Sequence, residues 1–491
     1  MRERVWVLGA ALGLTLLAAG CYGRKQQQDI LRGIDEYQQR AVAGAADYAD
    51  TGLAQPAAQG PSTQPAARPS VEPATLAEYI RLALERNPDV AAAAERVRAR
   101  AARIEQVTAL SDPVLKMKIL PEPVRTAEGD NYLVVGLSQK LPVPEKLSRA
   151  GRVALQEARM ALAELEAVRL RVIADVKRAY YRLYVVDRTI ENEQASADLL
   201  RGLIDAVRAQ LVSGRRTQAD VLRAQVELAT IESRLIVLRR QRDSAAAALN
   251  RLMSRDPQAP VAATSRVEPA TIELQLERLL AVAVHENPQL ERLAERVERQ
   301  REALALAHLA WWPDLTLGLE WIQVDPRGAF EPPPNPQTGM RPPTPQMSES
   351  GSDNWAITLS VNLPIWTQRI RAGIREARRR LAAAQHELQA ARDRVEFAVE
   401  DAYLRVREQQ ELVAIFESTI IPQAQQTYEV SQAAYTAGRT DFLTVIDNWY
   451  KWLVYNIQYH RAVGELLRSL ADLEESLGVS LMESERDDGT P

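Results

Sequence analysis

Few residues in this chain of 491 carry side chains suited to chemistry, and they do not form a catalytic pattern. The four histidines, His285, His308, His386 and His460, lack the paired spacing of metal ligands. No nucleophile elbow, phosphate-cradling glycine loop or zinc motif occurs, so no enzymatic reaction is expected. One thiol is present, Cys21, at the end of Leu17-Ala18-Ala19-Gly20-Cys21. A short charged head (Arg2, Arg4) and an apolar stretch from Val5 to Leu17 precede it. This is the form of a bacterial lipobox, cleaved before Cys21 so that the sulfur carries a diacylglycerol; an ordinary signal peptide with a chance cysteine is the alternative. Tyr22 is unlike the aspartate that retains lipoproteins at the inner membrane. A covalent lipid on Cys21 is the one attached group expected, with no other cofactor, and a lone cysteine forms no intramolecular disulfide. The remaining candidates cluster at two glycines, with Arg215, Arg216 and Asp220 following Gly214, and Arg439, Asp441 and Asp447 following Gly438.

The elements that position these groups are long helices. Charged residues make up 26% of the chain and the net charge is only −4, so no basic field invites nucleic acid. Aromatic residues are scarce at 5%, and Ala, Leu, Arg, Glu and Gln crowd most segments, a helical composition. The mature chain has no apolar run long enough for a helical membrane span, about 18 residues. Export behind a signal sequence argues against a cytoplasmic enzyme.

An internal repeat organises the chain. Ala83-Leu84-Glu85-Arg86-Asn87-Pro88 returns as Ala283-Val284-His285-Glu286-Asn287-Pro288. Lys140-Leu141-Pro142-Val143 returns as Asn362-Leu363-Pro364-Ile365, and Ser213-Gly214-Arg215 as Ala437-Gly438-Arg439. The spacing grows in the second half through a Pro-rich insertion at roughly 325–345. The expected divisions are residues 1–20 as signal peptide, 21–72 as a flexible lipid tether without periodicity, 73–268 and 269–480 as the two repeats, and 481–491 as a tail.

Each repeat opens with a helical stretch (74–110 and 270–310) broken and restarted at Asn-Pro, which suits an N-cap followed by proline at the first helical position. Two segments of period two follow. Leu115, Met117 and Ile119 alternate with lysines in the first repeat, and Leu133–Leu137 alternates more loosely. In the second repeat, Leu315, Leu317, Leu319 and Trp321 alternate with Thr316, Gly318 and Glu320, while Trp355, Ile357, Leu359, Val361 and Leu363 alternate with small or polar residues. Five of the eight tryptophans (Trp311, Trp312, Trp321, Trp355, Trp366) lie in or beside this pair, and the alternation favours an aromatic belt at a bilayer interface over burial against helices.

A long helix then runs without proline from Glu145 to Val212, about 100 Å at 1.5 Å per residue. Its stripe of Leu162, Leu165, Val172, Val176, Ala179, Leu183, Val186 and Ile190 loses one slot to Arg169. The second repeat carries a similar Ala-rich stripe from Leu381 to Ala402, and both imply closely packed, coiled-coil-like helices. Gly214 suits a left-handed C-cap, and Thr217 can cap a returning helix that ends near Met253. The opening and returning helices, each about 55 Å, together match the long one.

Four such strands cannot close a barrel, since the smallest membrane barrels have about eight. Open edges in hydrocarbon cost several kcal/mol per unsatisfied group. Two chains would supply eight strands, whereas three would supply twelve and leave room for a pore. Lipobox, duplicated helices, strand pairs and glycine turns together resemble the TolC-like outer-membrane efflux family over nearly all of residues 73–480. The most specific part is Ser213-Gly214-Arg215-Arg216-Thr217-Gln218-Ala219-Asp220-Val221-Leu222 with Tyr435-Thr436-Ala437-Gly438-Arg439.

The fold this resemblance implies is mainly α with a small β part, assembling as a homotrimer with a 12-stranded β-barrel in the outer membrane continued by an α-helical barrel in the periplasm. The implied partners are outer-membrane lipid, a periplasmic adaptor protein and an inner-membrane pump, and the implied role is the exit duct of a tripartite efflux or export system. The segment 139–147 resembles the strand-to-helix junction of heavy-metal efflux members. The resemblance also implies that aspartates at the matching positions, Asp220 and Asp447, help hold the periplasmic tip closed, with Arg215 and Arg439 nearby. Here Thr440 fills the family's arginine slot and Arg439 stands one place earlier. Asp220 equally fits a capping box with Thr217, and Asp441 a helix start, so gate and cap both stand. A periplasmic coiled-coil lipoprotein without a pore is the alternative, although a spacer needs neither alternating strands nor tryptophans. An adaptor would carry one helical hairpin flanked by β-domains.

Overall fold

Repeated helix and strand signals fold into repeated elements. The computed structural model describes residues 25–34, 36 and 39, and residues 75–481 except 127–128, 213–217, 265–273, 326–333, 335 and 341–350. The first repeat runs α1 (Leu76–Arg86), α2 (Pro88–Thr108), β1 (Val114–Arg125), β2 (Asp130–Leu141), α3 (Pro144–Val212) and α4 (Gln218–Leu252). The second runs α5 (Leu276–Glu286), α6 (Pro288–His308), β3 (Leu315–Asp325), β4 (Asn354–Val361), α7 (Thr367–Ile415), α8 (Ile421–Thr436) and α9 (Phe442–Leu477). Two compact units cut across the repeats. One comprises Ala99–Ala158 and Glu295–Gln385 with the chain up to Leu31, and the other Arg32–Arg98, Arg159–Ala294 and His386–Pro491.

The strand-bearing unit holds one antiparallel sheet in the order β1-β2-β3-β4. The two expected strand pairs are therefore joined, because β2 of the first repeat pairs with β3 of the second along eleven registered positions from Asp130↔Asp325 to Leu141↔Leu315. Around the sheet, the helix ends are tied by ions: Arg149 lies 2.8 Å from Glu302, and Arg299 lies 2.8 Å from Glu157. A Cβ at Gly151 would come within 2.6 Å of Thr108 Cγ2, so glycine lets α3 approach the end of α2.

In the helical unit, α3, α4, α8 and α9 share one core. Leu200, Ile204 and Val207 meet Val221, Ala224, Ile231, Tyr428, Tyr435, Phe442, Val445, Trp449 and Leu453, all buried. The two Asn-Pro motifs act alike. Asn87 accepts from the Asp89 amide at 2.8 Å and donates its Nδ2 to the Leu252 carbonyl at 2.9 Å. Asn287 accepts from the Gln289 amide at 2.9 Å and donates to the Ser476 carbonyl at 2.8 Å. Each asparagine thus caps the restarted helix and satisfies an orphan carbonyl at the end of a returning one, which butts against the break. Gly478 closes α9 at φ 91°, where a Cβ would meet the Glu286 carbonyl oxygen at 2.6 Å.

Two expectations need correction. Arg169 does not interrupt the buried stripe of α3; it is itself buried at 2% exposure and reaches Glu166 at 3.2 Å. The residue 21–72 tether is not structureless throughout, because residues 25–34 are helical with Ile30 and Ile34 buried. An apolar pair four residues apart falls on one helix face, and its burial supports the helix. Beyond the Ala-rich stripe, α7 widens into a π turn at Phe416–Ile420, just before Pro422, and α8 follows. Proline donates no N–H and its ring collides with the carbonyl four residues back, here Ser418, so the local widening accommodates it. The expectations resting on residues 1–24, most of 35–74, and most of the Pro-rich insertion fall outside the described residues.

Candidate functional site

The sheet separates two chemistries. Register aligns Leu115, Leu137, Leu319 and Ile357 in one row, and Met117, Val135, Trp321 and Trp355 in the next. Toward the helices, Leu317 pairs with Leu359 and Leu315 with Val361 on the same face. This face is open: Ile357 is 78% exposed, Trp355 69% and Leu359 67%. Water does not favour so large a contiguous apolar surface, and lipid does. Trp312 and Trp366 lie exposed just outside the helix-side ends of β3 and β4, while the Trp321–Trp355 row crosses the sheet farther along. From Leu315 to Trp321 the strand rises about 20 Å, close to the height of a barrel's apolar band.

The opposite face carries Lys116, Gly136, Glu320 and Ala356 in one row, then Ser138, Gly318 and Thr358, then Lys140, Thr316 and Ser360. It is the more crowded side. Thr358 Oγ1 occupies the space a Cβ on Gly318 would need, and Glu320 Cγ lies 3.0 Å from a Cβ placed on Gly136. Around Gly136 and Gly318 the polar face is thus closely packed, whereas the apolar face stays open. At the foot of the sheet, Asp314 lies 2.7 Å from Lys146 and 3.1 Å from Lys140. Burial pushes the Asp314 carboxyl up, but hydrogen bonds from Lys146 and Lys140 outweigh it and hold the carboxyl below its usual range.

The elements expected at the tip lie in the helical unit. Gly438 turns the chain at φ 71°, and its amide donates to the Tyr435 carbonyl at 3.0 Å. The exposed Arg439 follows, its amide on the Ala434 carbonyl at 2.9 Å. Asp441 caps α9: it accepts from the Thr444 amide at 2.9 Å and from the Thr444 hydroxyl at 2.5 Å, bonds that hold its carboxyl below the usual range. Asp447 pairs with Lys451 one turn on, at 2.7 Å with both groups exposed, and that hydrogen bond raises the Lys451 ammonium. Asp220 sits half-buried in the first turn of α4. Cys21, Gly214, Arg215, Arg216 and Thr217 lie outside the described residues, so nothing of their geometry enters here. Within the chain, Asp447 is thus joined to Lys451 rather than to Arg439. Sequence reasoning missed that partner, although an aspartate four residues before a lysine on one helix signals such a pair. Among the described residues no cluster of His, Cys, Asp or Glu could hold a metal ion, and no helix is long and apolar enough to cross a membrane.

Known proteins share this order of helices and strands. The chain is similar to the cobalt-zinc-cadmium resistance protein CzcC of Cupriavidus metallidurans, 22% identical over 422 residues, covering 84% of this chain and 91% of the relative. Its fold is similar to that of the outer membrane protein VceC of Vibrio cholerae, with a TM-score of 0.66 at 18% identity, covering 82% of this chain and 96% of the other. It is also similar to the MtrE outer membrane channel of Neisseria gonorrhoeae in its open state, with a TM-score of 0.65 at 17% identity, covering 83% and 89%. The model of the outer membrane efflux protein family matches residues 79–255 and 279–479, more than half of the chain and both repeats. This chain belongs to the outer membrane efflux protein family, and it is an outer-membrane efflux channel.

Proposed function

We propose that this efflux channel is a lipid-anchored homotrimer in which three four-stranded sheets close one twelve-stranded barrel. In this reading the helices form a periplasmic tunnel that receives cargo from an inner-membrane pump through an adaptor protein. The observation that carries the reading is the sheet itself, which has a largely apolar face, a polar face, and edge strands β1 and β4 whose outer sides are unpaired among the described residues. In hydrocarbon such edges must be paired, and copies of the same chain are the simplest source. The helices also leave apolar side chains at helical spacing for neighbouring staves: Phe397, Leu404 and Ile415 on α7, and Leu222, Val226 and Ile236 on α4, all exposed. Such stripes are what packed helices in a hollow cylinder require.

Acylation of Cys21 anchors the chain and adds about 0.8 kcal/mol per buried methylene. The tip is gated where the two hairpins meet the threefold axis, with Asp220 and Asp447 as the acidic groups and Arg215 and Arg439 beside the turn glycines. Cobalt, zinc and cadmium belong to the relative's name, and 22% identity does not transfer them. The purified acylated protein tests the reading. Native mass spectrometry in detergent should give a trimer, and planar bilayers should show discrete conductance steps. A monomer without conductance would leave a non-porous lipoprotein in its place.

A further inference from the structure

The polar face of the sheet carries more lysine than a neutral aqueous lining needs. Lys116 and Lys118 alternate with Leu115, Met117 and Ile119 in β1, so they stand on the face opposite the apolar one. Both are exposed, and the residues in register beside them are Gly136 and Val134, neither of them acidic. Neither lysine joins an ion pair among the described residues. One carboxylate shares the registered rows, Glu320, which leans over Gly136 from β3. Toward the helices, Lys140 and Lys146 share the single carboxylate of Asp314. In the registered rows each chain therefore sets Lys116, Lys118 and Lys140 against the one carboxylate of Glu320, while Asp112 and Asp314 lie just before β1 and β3 and Glu122 lies farther along β1. The acids Asp130 and Asp325 pair in register at the far end of the strands, beyond the Trp321–Trp355 row, where they border the outer mouth.

We infer that these lysines make the barrel anion-selective, so that the exit favours anionic cargo, whether an oxyanion, an organic acid or a negatively charged complex, over free cations. The inference rests on the trimeric pore proposed above. In that pore every lysine appears three times around the same bore, giving rings of like charge at the levels of Lys116, Lys118 and Lys140. Rings of lysine select anions in other pores because their charge draws anions into the bore and repels cations from it. The low-dielectric barrel wall concentrates this field on the bore, whereas an exposed surface lysine would be diluted by solvent. Glu320 softens the field at the Lys116 level without cancelling the neighbouring Lys118 ring. The glycine at 136, by leaving room for the Glu320 side chain, keeps that carboxylate close to the wall.

Reversal potentials in a KCl gradient across planar bilayers test the inference. With the dilute side near ~0.1 M, where the Debye length is about 10 Å, the native trimer should reverse at the sign set by chloride. The isosteric-length double variant Lys116→Gln/Lys118→Gln should move the potential toward zero, and Lys116→Glu/Lys118→Glu should invert it to the potassium sign. Concentrated salt should weaken the native preference. A native trimer that conducts and prefers potassium overturns the inference, as does a conducting Gln variant with unchanged selectivity, which would place the lysines at lipid headgroups instead. A trimer with no conductance at all fails the pore reading itself and takes this inference with it, so the two failures are told apart by whether current flows.

Discussion

Placing an arginine on each face of β4 in turn should separate a membrane strand from an ordinary sheet. Leu359 is 67% exposed on the apolar face, between the Val361 and Trp355 rows and opposite Leu317. Thr358, one residue away, lies on the polar face in register with Gly318 and over the space that glycine leaves. If the apolar face meets lipid, Leu359→Arg places a guanidinium near mid-bilayer, at about 2–4 kcal/mol per chain. At 1.4 kcal/mol per factor of ten, that is a roughly thirtyfold to several-hundredfold loss in the folding equilibrium of each subunit, repeated three times in a trimer. Thr358→Arg keeps its guanidinium in the aqueous bore and should cost less than about 1 kcal/mol, while lowering single-channel conductance. Gel shift of unheated samples from outer membranes reads the folded oligomer, and bilayer recording reads conductance. Equal loss of oligomer in the two variants would show that neither face meets lipid, and a larger loss for Thr358→Arg would show that the faces are reversed; either result refutes the argument.

Two glycines with left-handed backbone should respond differently to alanine. At Gly438 a Cβ meets nothing within 4 Å, so Gly438→Ala should cost only the backbone strain of about 1–2 kcal/mol. Gly478→Ala adds a collision with Glu286, Asn287 and Pro288, which brings the total to roughly 2–5 kcal/mol, and urea denaturation should rank the two in that order. Asp447→Ala removes an exposed, solvent-screened pair with Lys451, so thermal stability should hardly change, while resting conductance rises if the tip is gated there; lost stability with unchanged conductance would leave Asp447 a helix-surface charge. Asp314 is an acid whose folded value is depressed, so its contribution is present above the usual carboxylate value near ~4 and is lost as pH falls through the folded one. Asp314→Asn should therefore destabilise by about 1–2 kcal/mol at neutral pH and converge with the native protein in acid, which melting curves at the two pH values can check.

The sequence alone specified the order of elements, because the signals for them are local. Alternation along Leu315–Trp321, the proline-free run after Pro144, the Asn-Pro breaks and Gly438 each act within a few residues through backbone sterics and side-chain periodicity. The division of β1, β3 and β4 into apolar and polar faces was set in the same way, since every second side chain takes the same side whatever the strand pairs with. Pairing between β2 and β3, which are far apart in the chain, was not determined locally, and it turns two strand pairs into one sheet with continuous rows such as Met117–Val135–Trp321–Trp355. Nor did spacing reveal that Asn87 and Asn287 donate to the ends of α4 and α9, or that Arg169 is buried, because these depend on which helix end or neighbour arrives from elsewhere in the chain. Asp447 shows the same limit at the tip: its helix neighbour Lys451 could be counted from the sequence, but which charge its carboxylate takes was decided by the folded rotamers of one helix face. Periodicity fixes which way a side chain points, and only tertiary packing fixes what it meets there.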